Sequence, residues 1–142
     1  MEANIWCDGS AGKKAATGRV KRGPAGAGYV VMLSDGTREA RSDPLGRRTN
    51  NEAEYEAVLR ALTLGLELGA THAHVYSDSR TVVGQVAWGW ACNYPHLRAL
   101  RAKIFRLVRR YPEGVAFVNI PRNENGDADK LAKEATEASK LQ

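Results

Sequence analysis

The sequence predicts an α/β fold: a five-stranded mixed sheet flanked by helices, in the order βββαβααβα. Three observations predict it. Two strand-like runs meet at Asp35-Gly36, a dipeptide suited to a two-residue hairpin turn. Two longer segments carry apolar residues at helical spacing, one stopped by Gly69 and the other by Pro112 and Gly114. Short strand-like runs at 72–77 and 115–120 alternate with helical segments, the pattern that builds parallel pairs into a sheet.

Each element follows in turn. Residues 3–8 read as a strand and 9–26 as a loop rich in Gly, Lys and Arg. Residues 27–34 are an apolar strand, paired across the hairpin with 37–43, and Pro44 and Gly46 are expected to end the latter. Asn50 or Asn51 is expected to cap a helix that runs to about Leu68 before Gly69. After the strand at 72–77 comes a short helix, 79–88, and a break at 89–94. Pro95 suits the first turn of a helix reaching Tyr111, with Leu97, Leu100, Ile104 and Val108 on one face. The fifth strand is 115–120. The last helix starts between Asn125 and Ala128 and turns Ala128, Leu131, Ala132, Ala135 and Ser139 to one side. With no repeat or linker in view, 1–142 is expected to be one domain.

Composition narrows the function class. The apolar fraction of 43% and charged fraction of 26% are those of an ordinary globular protein. No apolar run is long enough to span a bilayer, and no signal peptide is evident. Cys7 and Cys92 lack metal or redox spacing, so two reduced thiols and a cytoplasmic location are expected. The formal net charge is +5, with basic clusters at Lys13-Lys14, from Arg19 to Arg22, at Arg47-Arg48 and from Arg98 to Arg110. Neutralising phosphates releases counterions, so such clusters favour a polyanionic partner, and a nucleic acid over a membrane surface.

Against that basic background, four acids stand at the ends of strands or the starts of helices. Asp8 ends the first strand, although Asp beside Gly9 also suits a plain turn. Glu54 lies on the same helical face as Ala57, Val58, Ala61 and Leu62. A carboxylate in that stripe needs a cation, a hydrogen-bonding network or a cleft. Glu52 and Glu56 point elsewhere and read as surface charges, Glu56 pairing with Arg60. Asp78 ends the fourth strand, where α/β sheets bind ligands, or else caps the next helix. Asp127 and Asp129 both fall in the first turn of the last helix, and periodicity does not choose between them. His72 and His74 share a strand face without a metal-spaced partner; with His96 they read as structural.

Taken in order, Asp8-Gly9-Ser10, Gly23-Pro24-Ala25-Gly26-Ala27-Gly28, Thr49-Asn50-Asn51-x-x-Glu54, Asp78-Ser79 and Asn125-x-x-Ala128-Asp129-x-Leu131-Ala132 resemble the type 1 ribonucleases H over nearly the whole chain. The resemblance implies the ribonuclease H-like fold. It also implies an endoribonuclease that hydrolyses the RNA strand of RNA/DNA hybrids with two Mg²⁺ ions, Mn²⁺ as a substitute, leaving 3′-hydroxyl and 5′-phosphate ends. It makes Asp8, Glu54, Asp78 and Asp129 the metal-binding catalytic acids, and it selects Asp129 over Asp127. It assigns substrate contacts to Gly9, Ser10, Thr49, Asn50 and Asn51, and more weakly to Gln85. A monomer is expected, with double-stranded RNA as a possible second substrate.

Two departures matter. The loop from Asn119 to Gly126 lacks the histidine many members carry, leaving Asn119, Arg122 and Asn123, of which Arg122 is expected to touch phosphate. The break at 89–94 is too short for the extra helix and basic handle of some members. Trp88 and Trp90 stand where that handle would begin, as packing or as a stacking surface for sugars. The long loop at 12–22, with Lys13, Lys14, Arg19, Lys21 and Arg22, is expected to compensate by raising affinity for hybrid.

Overall fold

Alternation along the first strand sets the architecture. In the computed structural model, which describes residues 1–11 and 22–141, β1 (Glu2–Ala11) buries Ala3, Ile5 and Cys7 on one face and turns Asn4, Trp6 and Asp8 to the other. It lies at the centre of the sheet. β2 (Gly23–Leu33) pairs antiparallel with it on one side, followed by β3 (Arg38–Arg48) at the edge. β4 (His72–Ser77) pairs parallel with β1 on the other side, followed by β5 (Val115–Asn119), giving the order β3-β2-β1-β4-β5. The helices are α1 (Asn50–Glu67), α2 (Arg80–Ala87), α3 (Pro95–Val108) and α4 (Gly126–Ser139). The expected five-stranded mixed sheet and element order are therefore present.

The main core lies under the α1 face of the sheet. Ile5, Val31 and Val75 meet Tyr55, Val58 and Leu62 of α1 and Ile104 of α3, all essentially inaccessible. Each such side chain contributes roughly 1.5–3 kcal/mol of transfer free energy. Tyr111, just past α3, donates its hydroxyl to the Leu62 carbonyl at 2.6 Å and ties α3 to α1.

α4 covers the opposite face over β2, and this explains where the sequence reading fell short. The Gly-rich run from Gly23 was expected to be loop, yet it is strand. Glycines there leave room for a helix. A Cβ on Gly28 would lie 2.3 Å from the Ala128 carbonyl oxygen, and one on Gly26 would lie 2.4 Å from the Thr136 nitrogen. β1 likewise continues past residue 8 to Ala11, because β2 offers partners as far as Ala25. β3 runs through Pro44 and Gly46 rather than ending there. It is an edge strand that can spare an N–H, and a register shift at Ala25/Gly26 accommodates buried Leu45.

Helix boundaries also needed correction. Thr49 caps α1, not Asn50 or Asn51: its side chain accepts from the Glu52 N–H at 3.1 Å, and Glu52 accepts from the Thr49 N–H at 2.9 Å. Glu52 is thus buried and paired with Arg22 at 3.1 Å, not a free surface charge. Glu56 pairs with Arg48 at 3.3 Å, while Arg60 reaches Asp43. Ser79 caps α2, which leaves Asp78 free of that task. Of the expected apolar face of α4, Leu131 is only partly covered, whereas Ala128, Ala132, Ala135 and Ser139 are buried.

Gly28→Ala is expected to lower unfolding free energy by about 2–3 kcal/mol, because α4 has to move off the sheet. Urea denaturation showing a loss well under 1 kcal/mol would mean that α4 does not depend on this close approach.

Candidate catalytic site

Because β1 and β4 are parallel, their carboxyl ends open at the same end of the sheet. Asp8 sits near the end of β1 and Asp78 just beyond β4. Glu54, on the second turn of α1, reaches them across the strand end. One carboxylate oxygen from each of Asp8, Glu54 and Asp78 lies within 4.8 Å of the others. Glycine makes this meeting possible: a Cβ on Gly9 would lie 2.2 Å from the Ala53 carbonyl carbon. With no side chain between them, the Gly9 N–H donates directly to the Glu54 carboxyl group.

The first turn of α4 brings Asp129 to the same cleft, about 410 Å³ in volume. Asn125 fixes that approach. It is fully buried just before α4, and its Nδ2–H donates to the Cys7 carbonyl at 2.9 Å, one residue from Asp8. Sequence reading used Asn125 to mark the helix start and as part of a family motif, with no role for its side chain; its place three residues before buried Ala128 was the available signal. Asp127 points away, exposed and 3.5 Å from Arg38.

The electrostatics set Asp129 apart from Asp8 and Glu54. Burial, followed by the charge of Asp78, pushes Asp8 up to about 7, although its hydrogen bond with Glu54 acts the other way. Burial and then repulsion from Asp8 hold Glu54 well above the ordinary carboxylate range. Asp129 differs. Partial burial raises it, but hydrogen bonds with Lys133 and Asp8 and the charges of Lys133 and Arg122 outweigh that and leave it below its usual value. Lys133 stands 2.9 Å and Arg122 3.5 Å from its carboxylate. The cluster is oxygen-only and short of positive charge on its buried side. That donor set suits a hard divalent cation such as Mg²⁺ or Mn²⁺.

Of the other residues expected at the substrate, Gly9, Ser10, Asn50, Asn51 and Arg122 line the cleft. Thr49 is committed to the α1 cap, and the side-chain Oδ1 of Asn50 accepts from the Ala11 N–H at 3.3 Å. Gln85 is turned elsewhere: its side-chain oxygen accepts from the Tyr55 hydroxyl, and its amide donates to the Ala91 carbonyl at 3.0 Å. Arg80 was missed. It lines the cleft and lies 5.3 Å over the ring of Trp90, which packs where Gly84 lacks a Cβ. Lys13, Lys14, Arg19 and Lys21 lie outside the described residues.

The family model described as "Reverse transcriptase-like" matches residues 13–135. The crystal structure of RNase H1 from Halobacterium salinarum superimposes with a TM-score of 0.86 at 31% identity, covering 97% of this chain and 99% of that one. The chain belongs to the ribonuclease H family. The N-terminal RNase H domain of Rv2228c from Mycobacterium tuberculosis gives the same TM-score of 0.86 at 32% identity, over 99% of this chain and 96% of that one. LC11-RNase H1, whose structure is in complex with RNA/DNA hybrid, gives 0.82 at 32% identity, over 96% of this chain and 98% of that one. In sequence, the curated Ribonuclease HI of Halobacterium salinarum is 36% identical over 114 residues, 80% of this chain. The chain spans 57% of that protein and 32% of the bifunctional protein Rv2228c.

A ribonuclease H domain with this cluster carries a definite pH signature. Asp8 binds its proton more tightly folded than unfolded, where its ordinary value is 3.8. The folded state therefore holds the extra proton between that value and about 7, and stability falls as pH rises through the window. Without divalent ions, Asp8→Asn is expected to raise unfolding free energy at neutral pH by roughly 2–4 kcal/mol and to flatten the decline. Denaturant titrations from acid to neutral pH check this. A variant less stable than the parent at neutral pH would contradict the charge assignment.

Proposed function

We propose that the chain is a metal-dependent endoribonuclease acting on the RNA strand of RNA/DNA hybrids. The observation that carries this reading is the convergence of Asp8, Glu54 and Asp78 with Asp129 beside them, in a cleft rimmed by Arg80 and Arg122. The RNA/DNA hybrid in the LC11-RNase H1 complex supports the substrate class.

In this reading Asp8, Glu54, Asp78 and Asp129 hold two divalent ions, Mg²⁺ or Mn²⁺. When bound, the ions supply an activated water and stabilisation of the leaving oxygen, which gives 3′-hydroxyl and 5′-phosphate ends. The protein's own residues do the rest. Asp8, central to the acids, is held by β1 and by the Asn125 anchor at Cys7. Glu54, oriented by the Gly9 N–H, faces the RNA 2′-hydroxyl, the group that separates RNA from DNA. Gly9, Ser10, Asn50 and Asn51 form the cleft wall that positions the strands. Arg122, beside Asp129 and largely exposed, is placed to contact phosphate in the loop that has no histidine. Free Cys7 and Cys92 accord with the cytoplasm as the working compartment. The domain works as a monomer.

The test is cleavage of end-labelled RNA/DNA hybrid, double-stranded RNA, double-stranded DNA and single-stranded RNA, with Mg²⁺, Mn²⁺ or a chelator. Metal-dependent cutting of the hybrid's RNA strand is expected, and Asp8→Asn or Asp78→Asn should reduce it by at least about a hundredfold. Hybrid bound tightly but left uncut by the parent chain would instead indicate a non-catalytic binding module. Cutting of double-stranded RNA would add a second substrate.

A further inference from the structure

The end of the sheet opposite the acidic cleft holds a second group of metal-ligating side chains. In the parallel β1–β4 register, Glu2 lies beside His72 and Asn4 beside His74, which puts Glu2, His72 and His74 on one face. The two histidine Nε2 atoms are 3.2 Å apart. The Glu2 Oε1 atom lies 3.2 Å from Nε2 of His74 and 3.9 Å from Nε2 of His72. A tetrahedral ion with bonds of about 2.0–2.2 Å separates neighbouring ligand atoms by about 3.3–3.6 Å. The three observed separations bracket that edge.

The orientation of His72 is also fixed. Its Nδ1 lies 2.9 Å from the carbonyl oxygens of Glu113 and Gly114. Carbonyls only accept, so Nδ1 carries the hydrogen and the Nε2 lone pair faces His74 and Glu2. A backbone acceptor behind a ligating imidazole is the usual support of a metal-bound histidine. The rings of His72 and His74 stand at 90° to each other, with their Nε2 atoms turned to the same point.

We propose that Glu2, His72 and His74 form a binding site for a borderline transition-metal ion, Zn²⁺ being the representative case. Two imidazoles and one carboxylate select this class over Mg²⁺, which is served by the all-oxygen cluster at the other end of the sheet. The protein supplies three ligands. The half-exposed Glu2 side chain leaves an entry path and a fourth position for water. The ion clips the start of β1 to the start of β4 and to the turn before β5, so it stabilises the folded chain. Sequence spacing misses the site because Glu2 is brought to the histidines only by strand pairing. The inference is independent of the reaction proposed above.

The test uses the untagged chain of residues 1–142 carrying Asp8→Asn and Asp78→Asn, which disables the acidic cluster. Calorimetric titration should find one Zn²⁺ per chain with micromolar or tighter affinity, undiminished by millimolar Mg²⁺, and thermal unfolding should move upward with Zn²⁺. His74→Gln or His72→Ala in that background should weaken binding by about tenfold or more. Co²⁺ added to the chain with both histidines intact should give visible absorption of a four-coordinate ion, a readout independent of how the histidine variants fold. Zn²⁺ affinity unchanged in His74→Gln, displacement by Mg²⁺, or a Co²⁺ spectrum of the fully hydrated ion would each overturn the proposal.

Discussion

The amide of Gly9 donating to Glu54 is the contact on which the site depends. It joins the central strand to α1 at the point where Ala53 leaves no room for a Cβ. That contact brings Glu54 against Asp8, although both are carboxylates and both are buried. Burial penalises their charged forms; Asp8 adds to the penalty on Glu54, whereas the hydrogen bond from Glu54 partly relieves that on Asp8. The arrangement is unfavourable for folding and favourable for capturing a divalent cation. The main core, built from Ile5, Tyr55, Val58, Leu62 and Val75, supplies the stability that holds the acids in place.

The opposite face holds the fourth acid by similar means. Gly26 and Gly28 let α4 lie directly on β2, and Asn125 ties its start to the carbonyl beside Asp8. Asp129 then arrives already paired with Lys133 and Arg122, which favour its charged form, while burial works against charge on Asp8 and Glu54. One cluster thus combines carboxyl groups pushed away from and toward their charged forms. The surrounding basic residues, Arg80 and Arg122 among them, offset the cleft's negative charge toward a phosphate backbone.

Much of this was legible in the sequence. The helical stripe that contains Glu54, the acids at the ends of β1 and β4 and the Asp35-Gly36 hairpin depend on local pattern, and local pattern is what a sequence displays. What escaped reading depended on contacts across the fold. The Gly23–Gly26 run looked like loop because the helix that packs on those glycines lies a hundred residues further on. Glu52 looked like a surface charge because its partners are the Thr49 backbone and Arg22. Gln85 looked available to substrate until Tyr55 and Ala91 were seen to occupy it. Periodicity could not choose between Asp127 and Asp129; the family resemblance pointed to Asp129, and it is Asp129 that lines the cleft while Asp127 faces Arg38.

The central claim is that the buried acids hold protons that a metal ion must expel. Calorimetric titration of Mg²⁺ at neutral pH, repeated in buffers of different ionisation enthalpy, counts those protons directly. The account predicts a net release of roughly half a proton or more per chain, falling sharply in Asp8→Asn. Mg²⁺ binding at the cleft with no proton release would contradict it, because the acids would then already be charged and the constraint imposed through Gly9 would have no electrostatic consequence.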